Sequence, residues 1–180
     1  MLDLKDLIIG CKNNDRRAQK NLVDTFAPYL FAVSRRYMRD DQEANDVIQD
    51  AFISIFGNIQ NFKSEPYALK AWMRQITINA ALQKIRKTYR SREVLPETMK
   101  DDRDEMPDIY GKFDVEDIMK IINELPDLYR QVFNMYVIDG YSHREIGDVI
   151  GQKESSSRAI LTRAKKMLRE KIFEIQKMAI

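Results

Sequence analysis

Ser142 and Glu145 stand three residues apart in YSHREIGDVIGQKESSSRAILTRAKKMLREK, the stretch from Tyr141 to Lys171. That spacing is a capping box, in which each side chain satisfies a backbone donor left free at the start of a helix, so a helix is predicted to begin at Ser142. Ile146, Val149 and Ile150 fall on one of its faces, and Gly151 follows the last of them, where a left-handed residue ends a helix at little steric cost. After a short turn a second helix is predicted from about Ser155. In it Leu161, Ala164 and Leu168, with Ser157 at the head of the stripe, recur at helical spacing and face the first helix. This layout is a helix-turn-helix.

The opposite face of the second helix carries Arg158, Thr162, Arg163 and Lys166. A basic helical face is more often solvated than bound, but between Lys153 and Lys171 seven Lys or Arg stand against two Glu. The excess lies where the N-terminal half of a recognition helix enters a major groove, which predicts DNA binding. The formal net charge of the 180 residues is only +2, because opposite charges are segregated along the chain. Lys84 to Arg92 holds five basic and no acidic residues, whereas Glu93 to Asp117 holds ten acidic and three basic. Two basic modules therefore flank an acidic connector.

With six Gly and five Pro among many helix formers, the expected class is all-α: two small helical domains, 1–92 and 115–180, joined by a flexible acidic linker over 93–114. The C-terminal domain is the helix-turn-helix one. Leu4, Leu7, Ile8 and Cys11 mark a first short helix ending near Asn13 and Asn14, and Cys11 is expected to be a small core residue. A second helix is predicted from Arg16 to Arg39, bent at Pro28, with Leu22, Phe26, Leu30, Val33 and Tyr37 inward. A third is predicted from about Asp40 to Asn58. Val47, Ile48, Ala51, Phe52, Ile55, Phe56 and Ile59 form its buried stripe, while Asp46, Gln49, Asp50 and Ile53 map to the other side, where they could serve as a small docking surface.

Asn61 to Pro66 reads as a loop, and Tyr67 to Arg92 as a long helix with Trp72, Ile76, Leu82 and Ile85 on its core side. Its remaining surface interleaves Lys70, Arg74, Lys84, Arg86, Lys87 and Arg90 with Tyr67, Trp72 and Tyr89, the combination that stacks unpaired bases and neutralises phosphate. Trp72 is open to either reading, core or base contact. Beyond the linker, Val115 to Glu124 forms a helix stopped at Leu125-Pro126, and Asp127 to Ile138 another, with Leu128, Val132 and Tyr136 inward.

The one histidine, His143, in the first turn of a surface helix, and the one cysteine, Cys11, provide no metal-ligand set. Without a phosphate-binding glycine loop or a catalytic carboxylate pair, no enzyme and no cofactor are expected. Charges interrupt every apolar run of the N-terminus, so neither a signal peptide nor membrane insertion is expected, and the location expected is cytoplasmic.

Two separated stretches together resemble one family, the extracytoplasmic-function (group 4) sigma factors of bacterial RNA polymerase, in the sigma-70 class. ANDVIQDAFISIF, from Ala44 to Phe56, resembles the family's clamp-docking segment, and AWMRQITINAALQKIRK, from Ala71 to Lys87, its promoter-melting helix. INELPDLYRQVFNMYVIDGYSHREIGDVIG followed by SSSRAILTRAKKML resembles its second promoter-reading domain. The resemblance implies core polymerase and promoter DNA as partners, the latter as minus-35 duplex and minus-10 single strand, and admits an anti-sigma factor. It places Asp46, Gln49, Asp50, Phe52 and Ile53 on the polymerase. It places Trp72 and Asn79 near the minus-10 element, where the loop from Asn61 to Tyr67 and the helix after it capture a base, and Arg158, Ala159, Thr162 and Arg163 at the minus-35 element. Arg86 and Lys87, from the basic end of the long helix, and Lys166, from the basic face of the last one, are expected to join them on DNA.

The sequence departs from the family pattern at Gln83, where Asp is frequent, at Ser155, where Gly is frequent, at Lys153, where a Ser or Thr cap is usual, and at Gly147, where Ala is usual. Lys153 offers no cap, which moves the expected start of the recognition helix to Glu154 or Ser155. Gly147 is expected to cost the first helix about 1 kcal/mol relative to Ala unless a close approach requires it. The alternative function is a freestanding helix-turn-helix regulator, which would bind duplex DNA tightly without polymerase.

Overall fold

The computed structural model describes residues 3–90 and 115–178. Among these residues the elements are α-helices with short 3-10 and π turns, and no strand occurs, as the all-α reading expects. No helix among them is long and apolar enough to cross a membrane. The connector predicted over 93–114 lies outside the described residues. The chain divides into two compact units, Met1–Lys84 and Ile85–Ile180.

In the first unit α1 (Leu4–Lys12) begins under the Asp3 carboxylate, which accepts from Lys5 N at 3.0 Å. It ends at Asn13, and Asn14 takes the left-handed conformation at φ 58°. Gly10 allows α1 to lie close on α2 (Arg16–Arg35): a Cβ there would stand 2.5 Å from that of Ala18. Helix α2 runs without interruption through Pro28 and buries Leu22, Phe26, Leu30 and Val33 as expected.

It stops four residues before the predicted Arg39. The Ser34 carbonyl accepts from both Tyr37 N and Met38 N, at 2.9 and 3.1 Å, which tightens the last turn. Tyr37 and Met38 are then buried beyond the helix end. Asp40, in extended backbone, starts α3 (Asp41–Asn58), its carboxylate accepting from Glu43 N at 2.8 Å. Glu43 in turn accepts from Arg39 N at 3.1 Å.

An apolar cluster joins the four helices of this unit. Leu7, Ile8 and Cys11 of α1 meet Leu22, Phe26 and Leu30 of α2, Ile48, Phe52 and Ile55 of α3, and Leu69 and Met73 of α4 (Leu69–Arg90). Each large side chain so buried contributes about 1.5–3 kcal/mol. Helix α4 is rotated relative to expectation. Leu69, Met73, Thr77, Ile78, Ala81, Leu82 and Ile85 are buried, whereas Trp72 and Ile76 are only half-buried. Thr77 enters the core because its hydroxyl donates to Met73 O at 3.0 Å and needs no other partner.

In the second unit α5 (Val115–Asn123) stops at Leu125-Pro126, and α6 (Asp127–Phe133) follows. The buried Arg130 stitches the two together: Nη1 donates to the carbonyls of Asn123 and Leu125, at 3.3 and 3.4 Å, and Nη2 to Asp127 at 2.7 Å. Residues Asn134–Ile138 form a π turn in place of the predicted last α-helical turn, with Asp139 N bonded to Asn134 O at 3.0 Å. The wider turn sets the following side chains off by about one position. Met135 is therefore buried and Tyr136, expected inward, is exposed. Val132 is buried as predicted, and Leu128 is half-buried.

Helix α7 (His143–Ile150) carries the predicted capping box. Ser142 Oγ accepts from Glu145 N at 3.3 Å, and the Glu145 carboxylate accepts from Ser142 N and Oγ at 2.8 and 2.7 Å. Gly151, at φ 68°, ends it in left-handed conformation, and α8 (Glu154–Met178) follows at Glu154, one of the two starts allowed by Lys153. Gly147 has a structural reason. A Cβ on it would stand 2.7 Å from the Gln152 carbonyl oxygen, and Gln152 N itself bonds Gly147 O at 2.9 Å. The turn closes over the helix where a side chain would be.

Candidate nucleic-acid interface

Helix α8 buries Ser157, Leu161, Ala164 and Leu168, and its opposite side is the surface that bears Arg158, Ala159, Thr162, Arg163 and Lys166. Arg158 and Lys166 are exposed, and the other three are half-buried. Arg158 is ion-paired with Glu154 one turn back, and Thr162 donates its hydroxyl to Arg158 O at 3.1 Å. A solvated pair of this kind contributes little, about 0.3–0.5 kcal/mol, so it holds the Arg158 guanidinium only weakly.

Helix α8 is braced from beneath by His143. Placed by its sequence position on a surface helix, it is instead buried, 8% exposed. Its Nδ1 lies 3.0 Å from Ser157 Oγ, and its ring stacks on Tyr136 with centroids 4.3 Å apart and planes at 18°. Burial first, then the positive charge of Arg158 and of Lys165, holds the imidazole pKa below its usual value, against an opposing effect of Glu154. The Glu145 carboxyl is lowered as well, by the hydrogen bonds from the Ser142 side chain and backbone.

On α4, Asn79 is exposed and accepts from Gln75 Nε2 at 3.2 Å; Lys87 is exposed and Arg86 half-buried. Trp72 divides its surface between the two readings: it packs on the buried Phe62, centroids 5.1 Å apart, and remains half-open to solvent. Tyr67, just before α4, is 81% exposed. Two of the cations expected around these aromatics are engaged elsewhere. Lys70 sits over the Tyr29 ring at 4.2 Å, and Lys84 bonds Asp46 at 3.0 Å and Glu43 O at 3.4 Å, tying α4 to α3.

On α3, Asp46, Gln49 and Asp50 are exposed together with Ile53, which is 71% exposed, so these four share the predicted outer face. Phe52 does not. It stands one helical turn from the buried Ile48 and Ile55, is 8% exposed, and stacks on Phe56 with centroids 6.1 Å apart. As a core residue it supports the face from within and does not present a contact surface.

Sequence reasoning missed His143, because its partners come from the following helix and from a π turn that no local pattern announces. It also missed Arg130, whose carbonyl partners lie across the Leu125-Pro126 break.

Comparison with known proteins adds a second line of observation. The family model for Sigma-70 region 2 matches residues 22–91, and that for Sigma-70, region 4, matches residues 116–168. The ECF RNA polymerase sigma factor SigE of Mycolicibacterium smegmatis is 29% identical over 83% of this chain and 59% of its own length. The ECF RNA polymerase sigma factor SigW of Bacillus subtilis is 25% identical over 96% of this chain and 98% of its own. Among solved structures, the sigma factor RpoE of Bartonella quintana, in complex with the anti-sigma factor NepR, aligns at 23% identity with a TM-score of 0.44, over 84% of this chain and 94% of that one.

Proposed function

The chain belongs to the sigma-70 family of RNA polymerase sigma factors, in its extracytoplasmic-function class, and from that premise we propose how its surfaces divide the work of initiation. The exposed face of α3, formed by Asp46, Gln49, Asp50 and Ile53, docks on bacterial core RNA polymerase. The loop from Asn61 to Tyr67 and the outer surface of α4, with Trp72, Asn79, Arg86 and Lys87, hold the non-template strand of the minus-10 element after melting. Helix α8 reads the minus-35 duplex with Arg158, Ala159, Thr162, Arg163 and Lys166. The domains that do this are 1–92 and 115–180, with 93–114 as the connector between them. Such a protein performs no covalent chemistry, acts in the cytoplasm and is open to control by an anti-sigma factor.

Support for this reading comes most directly from α8. Its apolar stripe is consumed by the helix-turn-helix, so the basic side is the one left for a duplex. On α4 the exposed Tyr67, the half-open Trp72 and the cations near them suit bases taken out of the stack, at a cost of a few kcal/mol for unstacking. The α3 face combines two carboxylates with one large exposed apolar side chain, a surface for a basic partner with a shallow apolar pocket.

Run-off transcription with bacterial core polymerase and genomic fragments tests the proposal. Discrete transcripts that require both core enzyme and this chain are expected. Tight duplex binding by the chain alone, with nothing added to transcription by core, would identify a freestanding helix-turn-helix regulator instead.

A further inference from the structure

Helix α1 has no part in the assignments above, and it lies outside the residues that either family model matches. Two hydrogen bonds nevertheless tie its last residue to the segment that leads into α4. Lys12 Nζ donates to Phe62 O at 2.7 Å, and Gln60 Nε2 donates back to the Lys12 carbonyl. Residues about fifty positions apart thus exchange bonds in both directions.

The place where they do so is the root of the loop before α4. The 3-10 turn Ile59–Asn61 ends at Phe62, whose N–H bonds Ile59 O at 3.1 Å. Its own carbonyl, past the end of that turn, takes the half-buried ammonium of Lys12 as its donor, a charge-assisted bond. The Phe62 ring is buried and packs on Trp72, so the same residue joins α1, the core and the first turn of α4. From there the chain emerges as the exposed Lys63, Ser64 and Glu65, returns through the 3-10 turn Pro66–Ala68, and presents Tyr67 to solvent.

We propose that Lys12, assisted by Gln60, is a positioning residue for minus-10 recognition: it pins the root of the 62–67 loop to α1, so that Tyr67 and its neighbours meet an unpaired base in one geometry. The proposal rests on the assignment of base capture to this loop. Releasing the root spreads the loop over several arrangements, and apparent affinity for the base falls with the fraction that remains competent. Lys12 touches no DNA and acts through the Phe62 carbonyl.

The experiment uses the full chain with bacterial core polymerase, on fork templates made from a promoter found by run-off transcription. Their minus-10 non-template segment is single-stranded, and a series carries one abasic site at each position in turn. The wild type is expected to bind the intact fork best and to lose affinity at one abasic position. Lys12→Met is expected to bind the intact fork roughly ten-fold more weakly, the weight of one hydrogen bond from a charged donor, with core affinity unchanged. At the sensitive abasic position it should lose nothing further, because the base is no longer held. Lys12→Arg, which reaches the same carbonyl, should restore binding, and Gln60→Ala should fall between.

A wild type indifferent to every abasic position overturns base capture, and the positioning role with it. A wild type sensitive at one position, beside a Lys12→Met variant equal to it on the intact fork or losing the same further factor at that position, overturns the positioning role alone. A parallel fall in core affinity also overturns it, since that is the mark of general destabilisation.

Discussion

His143 Nδ1 and Ser157 Oγ, fourteen residues apart, share a buried hydrogen bond of 3.0 Å that joins the first turn of α7 to the first turn of α8. It spans the helix-turn-helix at the point where α8 starts, and Tyr136 closes over the ring from the π turn. Charging this imidazole places a cation under Arg158 and Lys165 in a site that already disfavours charge.

The first prediction concerns acid. With the folded pKa of His143 lowered by burial, the unfolded chain takes up a proton near pH 6.5 while the native one resists it. The unfolded state then binds more protons, so this group makes stability fall as pH drops through the ordinary histidine range and on toward the folded pKa. Above that range it adds no pH dependence. Thermal unfolding of the full chain between pH 7.5 and 5.5 should show the loss, and His143→Gln should flatten it. An unaltered slope in the variant would assign the acid sensitivity to other groups.

Gly147→Ala separates helix propensity from packing. In an open helix the change stabilises by about 1 kcal/mol. Here the new Cβ meets the Gln152 carbonyl oxygen, which is backbone and cannot rotate away, so a net destabilisation of about 1–3 kcal/mol is expected, the usual scale for overpacking. Denaturant unfolding measures it, and a more stable variant would show that the turn yields at no cost.

For the α3 face, Asp50→Lys combined with Ile53→Ala should weaken co-purification with core polymerase by about ten-fold or more, the scale of about 1.4 kcal/mol at an interface. Both side chains are exposed, so helical circular dichroism should be unchanged. Phe52→Ala, by contrast, should lower stability by about 3–5 kcal/mol, because it empties a core site. Full retention of core binding by the double variant would remove this face from the interface.

On α8, Arg158→Ala and Arg163→Ala distinguish base reading from phosphate contact. An Arg on a guanine edge contributes roughly 1–3 kcal/mol of discrimination, whereas one on phosphate lowers affinity on every template and reduces the salt slope by about one unit on removal. Transcription from intact and minus-35-scrambled templates across a salt series, with polymerase present, sorts the two. Wild-type transcription by both variants from the intact promoter would refute the recognition-helix assignment.

What the sequence determined by itself is what neighbouring residues settle among themselves. The Asp40 cap, the Ser142 and Glu145 box and the left-handed Gly151 act within one turn of backbone, and the stripe from Ser157 to Leu168 is a regular period. These features, with the segregated charges, made the helix-turn-helix and the outer face of α3 legible before any coordinates. The tertiary structure decided what depends on groups distant in the chain. Periodicity leaves the rotation of a helix within a crowded core undetermined, and contact with three other helices turned α4 so that Met73 lies inside and Trp72 at the edge. A π turn, which shifts register without a sequence signal, brought Tyr136 onto His143. The bond between Lys12 and Phe62 exists only because two apolar surfaces far apart in sequence share one core and bring their polar edges together.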